Sequence, residues 1–316
     1  MRREVRSLAA FLAAVALVGA FLPNVHLLAL NQHLFLALNV LALNFCLGLG
    51  GQASMASGAF CGLGAYGSVI LHSLLPQGTL VIVPAVASCA FFAAAWISKP
   101  LEKLGEGFLA MATLCLCLIF VNLVLAFAPL TGGSNGMMVS VSPSLPLLGE
   151  LKGDRANFAA LLFLLALGGY IFAAVRDSRL GRALLACKDD SLAASSCGID
   201  RLGVRAVSFG IGGAFSALAG MVLANSTGFI SPGQFDLGLS LKTLLFLVIG
   251  GPGRLVRPLL AVVLLEALIS SFHSLGEATM LVHGLILATA LLAGYWRETG
   301  GLAWLPRLVA PAAKRV

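Results

Sequence analysis

Long apolar runs separated by short polar segments set the pattern of this chain. Several runs extend for about 17 to 25 residues without a charge, the length at which a helix crosses roughly 30 Å of hydrocarbon. Unpaired backbone amides are costly in lipid, so spanning segments are helices or strands of a closed barrel. Apolar positions do not alternate with polar ones, which selects helices. Ten spans are expected, near 7–23, 34–50, 53–75, 79–97, 105–128, 157–175, 203–226, 239–252, 255–273 and 279–295. The expected fold is all-α: one polytopic transmembrane bundle over 1–316, with eight to ten helices, some broken, and a loop at 176–202.

Glycine punctuates two short spans, which end in Gly48-Leu49-Gly50-Gly51 and Ile249-Gly250-Gly251-Pro252-Gly253. Each is either an ordinary tight turn or an interrupted helix whose open backbone lines a cavity, as transporters use. Their presence in both halves favours transport. Ser54, Gly58 and Gly62, and likewise Gly212, Ser216 and Gly220, recur every four residues and give small faces for close helix packing.

Composition agrees, with 59% apolar against 10% charged residues, too apolar for a soluble globular core. Cys46, Cys61, Cys89, Cys115 and Cys117 lie in apolar runs and are expected to pack as small hydrophobes. Neither Cys115-x-Cys117 nor the five His have metal-ligand spacing, so no metal site is expected. No small-residue cleavage site with a polar start after it follows the basic head Arg2-Arg3-Glu4-Val5-Arg6, so the first run is expected to be a retained span.

Charge orients the bundle. With the N-terminus inside, the inside segments are the head, 98–104, 176–202, 253–257 and the tail. Together with Arg205 they hold every one of the 20 basic residues except Lys152, Arg155 and Lys242. An even span count with both termini cytoplasmic satisfies the positive-inside rule. The net charge of +7 then marks a cytoplasmic membrane surface and requires no nucleic acid.

The inside segment 176–202 is long, basic and amphipathic. Asp189 suits a helix N-cap and Gly198 a left-handed helix end, so a compact docking helix is expected there, set against the bland reading of a surface loop. No Lys follows a Gly, so the chain has no phosphate-cradling Gly-Lys-Ser/Thr loop, and no paired-carboxylate or Ser/His/Asp arrangement lies on a soluble segment.

Gly181 to Leu184 followed by Ala193 to Ile199 resembles the cytoplasmic loop of branched-chain amino acid ABC transporter permeases, in particular the M-type (LivM-like) subunit. Asn44 to Tyr66, Leu130 to Gly136, Gly228 to Pro232 and Gly250-Gly251-x-Gly253 resemble further signatures of that family in the same order. Leu192 stands where related loops carry glutamate, and Ser57-Gly58 where relatives often carry Gly-His. The resemblance implies a permease of the bacterial inner membrane. It implies pairing with a homologous second permease, two cytoplasmic ATP-binding subunits and a periplasmic solute-binding protein. ATP is then used by the partners, and this chain binds no cofactor and is no enzyme. Amino acids are the implied substrates, with urea or small organic acids as the alternative. An ion-coupled secondary transporter is the weaker rival, because Glu266 is the one acid well inside an expected span.

Within that frame, Arg182, Asp189, Asp190, Ala194 and Gly198 are expected at the ATPase contact. Asn44, Gln52 and Asn122 are expected along the translocation route, interhelical hydrogen bonding being the alternative for each. Glu266 is either a pathway residue or the ion-pair partner of Lys242.

Overall fold

The computed structural model describes residues 2–74, 79–102, 106–139, 144–145, 149–150, 153–271 and 288–289. The expected span at 279–295 lies outside them except for residues 288–289. Each earlier span has its helix. The membrane helices are α1 (Arg2–Phe21), α2 (Asn24–Leu43, continued by a π-helical turn Asn44–Leu49), α3 (Ser57–Leu74), α4 (Thr79–Leu101) and α5 (Glu106–Ala126). A single turn, α6 (Ala128–Thr131), precedes α7 (Asp154–Asp177). The loop forms α8 (Arg179–Asp189) and α9 (Ser191–Ser196), and α10 (Arg201–Thr227), α11 (Leu237–Gly250) and α12 (Val256–Ser271) follow. Seven of these segments are long and apolar enough to cross a membrane.

Two boundaries differ from expectation for local reasons. Segment 24–33, which falls between the first two expected spans, is helical: Pro23, extended at ψ 155°, stops α1 and restarts the chain as α2. Asn31 is then buried and its amide donates to the Asp154 carbonyl at 2.9 Å, so one polar residue is absorbed between helices. Conversely, α3 begins at Ser57 and not at 53, because residues 51–56 run without helical bonds after Gly51 takes a positive φ of 70°.

Burial sorts inner from outer helices. The windows of α2 and α10 are 83% buried, whereas those of α1 and α5 are 22% buried and expose Phe21, Phe108 and Met111. Small residues permit the inner packing. A Cβ at Gly64 would stand 1.9 Å from the Ala217 carbonyl oxygen, and one at Gly220 would stand 1.9 Å from that of Cys61. α3 and α10 are thus in backbone contact. Gly220 belongs to the expected small-residue face of α10, whereas on α3 the contact is made by Gly64, and the expected face meets Phe120 of α5 at Gly62 and the Phe235 and Asp236 carbonyls at Gly58. Aromatic rings fill the space beside this seam. Phe45 stacks on Phe215 at 5.8 Å and meets Phe172 edge-on at 5.2 Å.

At the far end of α10, β1 (Met137–Met138) pairs antiparallel with β4 (Phe229–Ile230), joining the Thr131–Gly136 turn to the Gly228–Pro232 turn. A hairpin of β2 (Ser144–Leu145) and β3 (Gly149–Glu150) lies between α6 and α7 in the chain. The chain divides into compact units 1–263 and 264–316, and the site below lies wholly in the first.

Replacing Gly220 with Ala should cost about 1–3 kcal/mol by overpacking against immovable backbone. The matched Gly67→Ala, where a Cβ meets nothing within 4 Å, should be neutral or slightly stabilising. Melting temperatures of the purified variants in detergent read the difference, and equal values for both would disprove the seam.

Candidate functional site

The site grows out of the break in α2. When a helix unwinds away from water, its last carbonyls and the next amides need partners. Gly50, Gly51 and Gln52 turn their amides back to Phe45, Leu47 and Cys46 at 3.3, 3.2 and 3.1 Å. Ser208 Oγ of α10 donates to the Phe45 carbonyl at 2.7 Å. Beyond the turn, the Met55 amide donates to Thr113 Oγ1 at 3.0 Å and Cys117 Sγ donates to the Met55 carbonyl at 3.0 Å, both from α5. Ser240 Oγ of α11 accepts from the Gly58 amide at 2.8 Å and lies 3.2 Å from Cys117 Sγ. Cys117 is therefore a bonded partner of the break, more than the small hydrophobe its apolar run suggests.

Asn44 ties this break to the second one. Its Nδ2 donates to the Arg254 carbonyl and its Oδ1 accepts from the Gly253 amide, each at 2.8 Å. Gly48 must be glycine here, because a Cβ would stand 2.0 Å from Asn44 Oδ1 and 2.7 Å from the Gly253 nitrogen. The two glycine clusters of the sequence thus meet as one junction.

The loop docks on that junction. Ser178 caps α8 by accepting from the Gly181 amide, and a Cβ at Gly181 would strike the Val175 carbonyl oxygen at 2.2 Å, which seats α8 tightly on the end of α7. Leu184 and Cys187 form its buried side. Burial pushes the Cys187 thiol above its ordinary pKa, against the opposing pull of Arg205 and Arg201. The cap of α9 is Asp190, whose Oδ1 accepts from the Leu192 and Ala193 amides at 2.9 and 3.0 Å; Asp189, expected in that role, is the last residue of α8. Gly198 does end α9 in a left-handed turn, with φ 80° and with its own amide and that of Ile199 donating back to Ser195 and Ala194.

Beneath α8 lies a buried charge cluster. Arg205 Nη1 of α10 meets Glu102 Oε2 at 3.1 Å with side chains 4% and 1% exposed. Arg205 Nη2 donates to the Cys187 carbonyl at 2.9 Å, and Gln52 Nε2 donates to Glu102 Oε1. One ion pair therefore holds the end of α4, the unwound segment, α10 and the loop. Lys188 Nζ adds a second tie at 2.9 Å to the Gly48 carbonyl.

The expected site residues divide accordingly. Asn44 and Gln52 are both buried in this junction, bonded within the chain. Asn122 stands apart on the exposed face of α5, its amide donating to the Leu118 carbonyl of its own helix. Arg182, Asp189, Asp190 and Gly198 are exposed on the loop, whereas Ala194 is 5% exposed and faces inward. Glu266 on α12 and Lys242 on α11 are both half-buried. Glu102, Lys188, Arg205 and Ser208 complete the junction unforeseen: charges at a span end satisfy the positive-inside pattern equally well whether they are solvated or paired.

A narrow crevice of about 10 Å³ lies beside the junction, lined among others by Cys46, Ser54, Ser57, Phe60, Phe209 and Ser216. Three hydroxyls and two aromatic rings make it a small amphipathic recess between α2, α3 and α10. Among the described residues no group of His, Cys, Asp and Glu is arranged to hold a metal ion.

Residues 26–292 match the family described as branched-chain amino acid transport system, permease component. The chain is 28% identical over 284 residues to the high-affinity branched-chain amino acid transport system permease protein LivM of Escherichia coli K12, covering 82% of this chain and 66% of that one. It is 31% identical over 180 residues to the corresponding LivH of Salmonella typhimurium, covering 52% and 56%. A stretch of 71 residues is 38% identical to the autoinducer 2 import system permease protein LsrC of Escherichia coli O9:H4, covering 22% and 20%. The chain spans just under two thirds of the length of the LivM relatives. No solved structure matches it.

Removing one partner of the buried pair, as Arg205→Met or Glu102→Leu, should cost about 3–5 kcal/mol by stranding the other charge, while the double variant should recover much of the loss. Thermal unfolding of the four proteins in detergent closes this cycle. Strictly additive losses would show that the two residues are not an energetic unit.

Proposed function

The chain belongs to the family of branched-chain amino acid transport permease components, and on that premise we propose that it is one of two permease subunits of an ATP-driven importer for amino acids in the bacterial inner membrane. ATP is hydrolysed on separate cytoplasmic subunits, and a periplasmic binding protein delivers the substrate. One observation carries the reading: a helical loop is bonded directly into the junction of two broken membrane helices, as a device that relays force from a partner to a substrate route must be. Similarity to both LivM and LivH supports a heteromeric permease pair.

Orientation follows from charge. Arg176 with Glu4, Arg205 with Glu102, and Lys188 and Asn44 beside the Arg254 turn gather the basic segments at one end of the bundle. By the positive-inside rule that end, with the N-terminus, is cytoplasmic. With the ten spans expected from the sequence, the proposed orientation has the C-terminus on the same side. The exposed loop residues Arg182, Asp189, Asp190 and Gly198 then face the ATP-binding subunits, while buried Ala194 packs α9 beneath them. Asn44 and Gln52 serve the route by holding its open helix end, and Asn122 and Glu266 are the remaining residues proposed for it.

Leucine uptake into proteoliposomes holding this chain and its partner subunits should require ATP and the binding protein. Uptake driven by a sodium or proton gradient without ATP would overturn the reading. In a variant lacking Cys89 and Cys115, an impermeant maleimide should label exposed Cys197 in inside-out vesicles only and leave Cys187 unmodified, because that thiol is buried and resists ionisation. Labelling of Cys197 from the periplasmic side would invert the orientation.

A further inference from the structure

The π turn of α2 ends as a helix C-terminus: turn amides return to the Phe45, Cys46 and Leu47 carbonyls, and the end of the helix dipole leaves partial negative charge there. Transporters with interrupted helices commonly place a coordinated cation at such ends. Here the Gly48 carbonyl accepts from the ammonium of Lys188, 140 residues away in sequence, at 2.9 Å. We infer that Lys188 is a positioning residue for transport: a cation tethered to the loop, which occupies the ion position of the broken helix and makes the state of that break depend on where α8 sits.

Three features fit this role. Arg205 holds the carbonyl of the preceding residue, Cys187, so the last turn of α8 is fixed to α10 by main chain and to α2 by charge. Gly51 clears the way for the lysine stem, since a Cβ there would lie 2.9 Å from Lys188 Cγ, and its φ of 70° suits glycine as well. Gly48 itself abuts the second break, a Cβ built on Gly253 lying 3.2 Å from the same carbonyl oxygen. Withdrawal of α8 by a bound partner therefore removes positive charge from a carbonyl shared by both breaks, without requiring the whole bundle to move. The inference rests on the proposed ATP-driven import and adds the atom through which the loop reaches the route.

Lys188 is exposed as a whole and is not part of the Glu102–Arg205 pair or of the buried side of α8, so replacing it leaves both in place. In the reconstituted complex, Lys188→Met should lower substrate transported per ATP hydrolysed by on the order of tenfold while ATP hydrolysis persists, and Lys188→Arg should restore most of it. Unchanged stoichiometry in Lys188→Met, parallel loss of uptake and hydrolysis, or no rescue by Arg would each overturn the inference. A measurement on the isolated subunit separates this from the parent reading. Hydrogen exchange at the Gly50, Gly51 and Gln52 amides should be faster in Lys188→Met than in wild type or Lys188→Arg, and identical protection in all three would sink the tethered cation even if ATP-driven uptake stands.

Discussion

An unwound helix inside an apolar bundle leaves main-chain groups that only protein can satisfy, and this constraint organises the rest of the molecule. From Asn44 to Ser57 the chain gives up regular α-helical bonding, and its polar groups are met by Ser208 of α10, Thr113 and Cys117 of α5, and Lys188 of α8. Those partners must come close, so the helices that carry them need small residues at the crossings. Gly212 packs against the Ala42 carbonyl and Gly58 against those of Phe235 and Asp236, at distances a side chain would forbid. Polar pairing and glycine packing are thus two consequences of the same break.

The buried ion pair is the costliest part of the arrangement. Taking Glu102 and Arg205 out of water has a penalty that their mutual attraction offsets only when the remaining hydrogen-bond capacity is also used. Gln52 on the carboxylate and the Cys187 carbonyl on the guanidinium supply that capacity. The pair is specific in what it joins: an apolar replacement could fill the volume but could not fix the loop main chain and the unwound segment to one another. Its position beneath α8 makes the loop an extension of the membrane core and separates it from a solvated linker. The exposed loop residues are accordingly presented on a rigid base, with Leu192 the most exposed of its large apolar side chains.

Periodicity and charge made the described helices and the gathering of the head, the 176–202 loop and the Arg254 turn at one end legible, because each depends on local spacing or on a count. The left-handed Gly198 was legible for the same reason, and the helix cap was misplaced by one residue because Asp189 and Asp190 are adjacent and only φ/ψ at the break between α8 and α9 decides which of them caps. Glu102 was hidden differently. It stands between Lys99 and Lys103 as one more charge at a span end, and its partner is 103 residues away. Asn44, by contrast, was recognised as important beside the glycines, yet its bond to the second break required knowing that residues 44 and 253 meet. Long-range pairing of polar groups is the information that a single sequence does not display.

What remains is how a disturbance at one end of the bundle would reach the other, and α10 supplies the geometry. Its 27 residues make a rod of about 40 Å, buried along most of its length and in backbone contact with α3. Its first turns carry Arg205 and Ser208, which hold the loop and the α2 break. Its last residue leads through Gly228 into β4, where pairing with β1 joins the two glycine turns of the far end. Because Gly64 and Gly220 put backbone against backbone where α3 crosses α10, a shift at the loop end would be carried there as displacement of the pair, with little room for repacking at those contacts. The same absence of side chains that allows the break to be satisfied therefore also stiffens the crossing of α3 and α10.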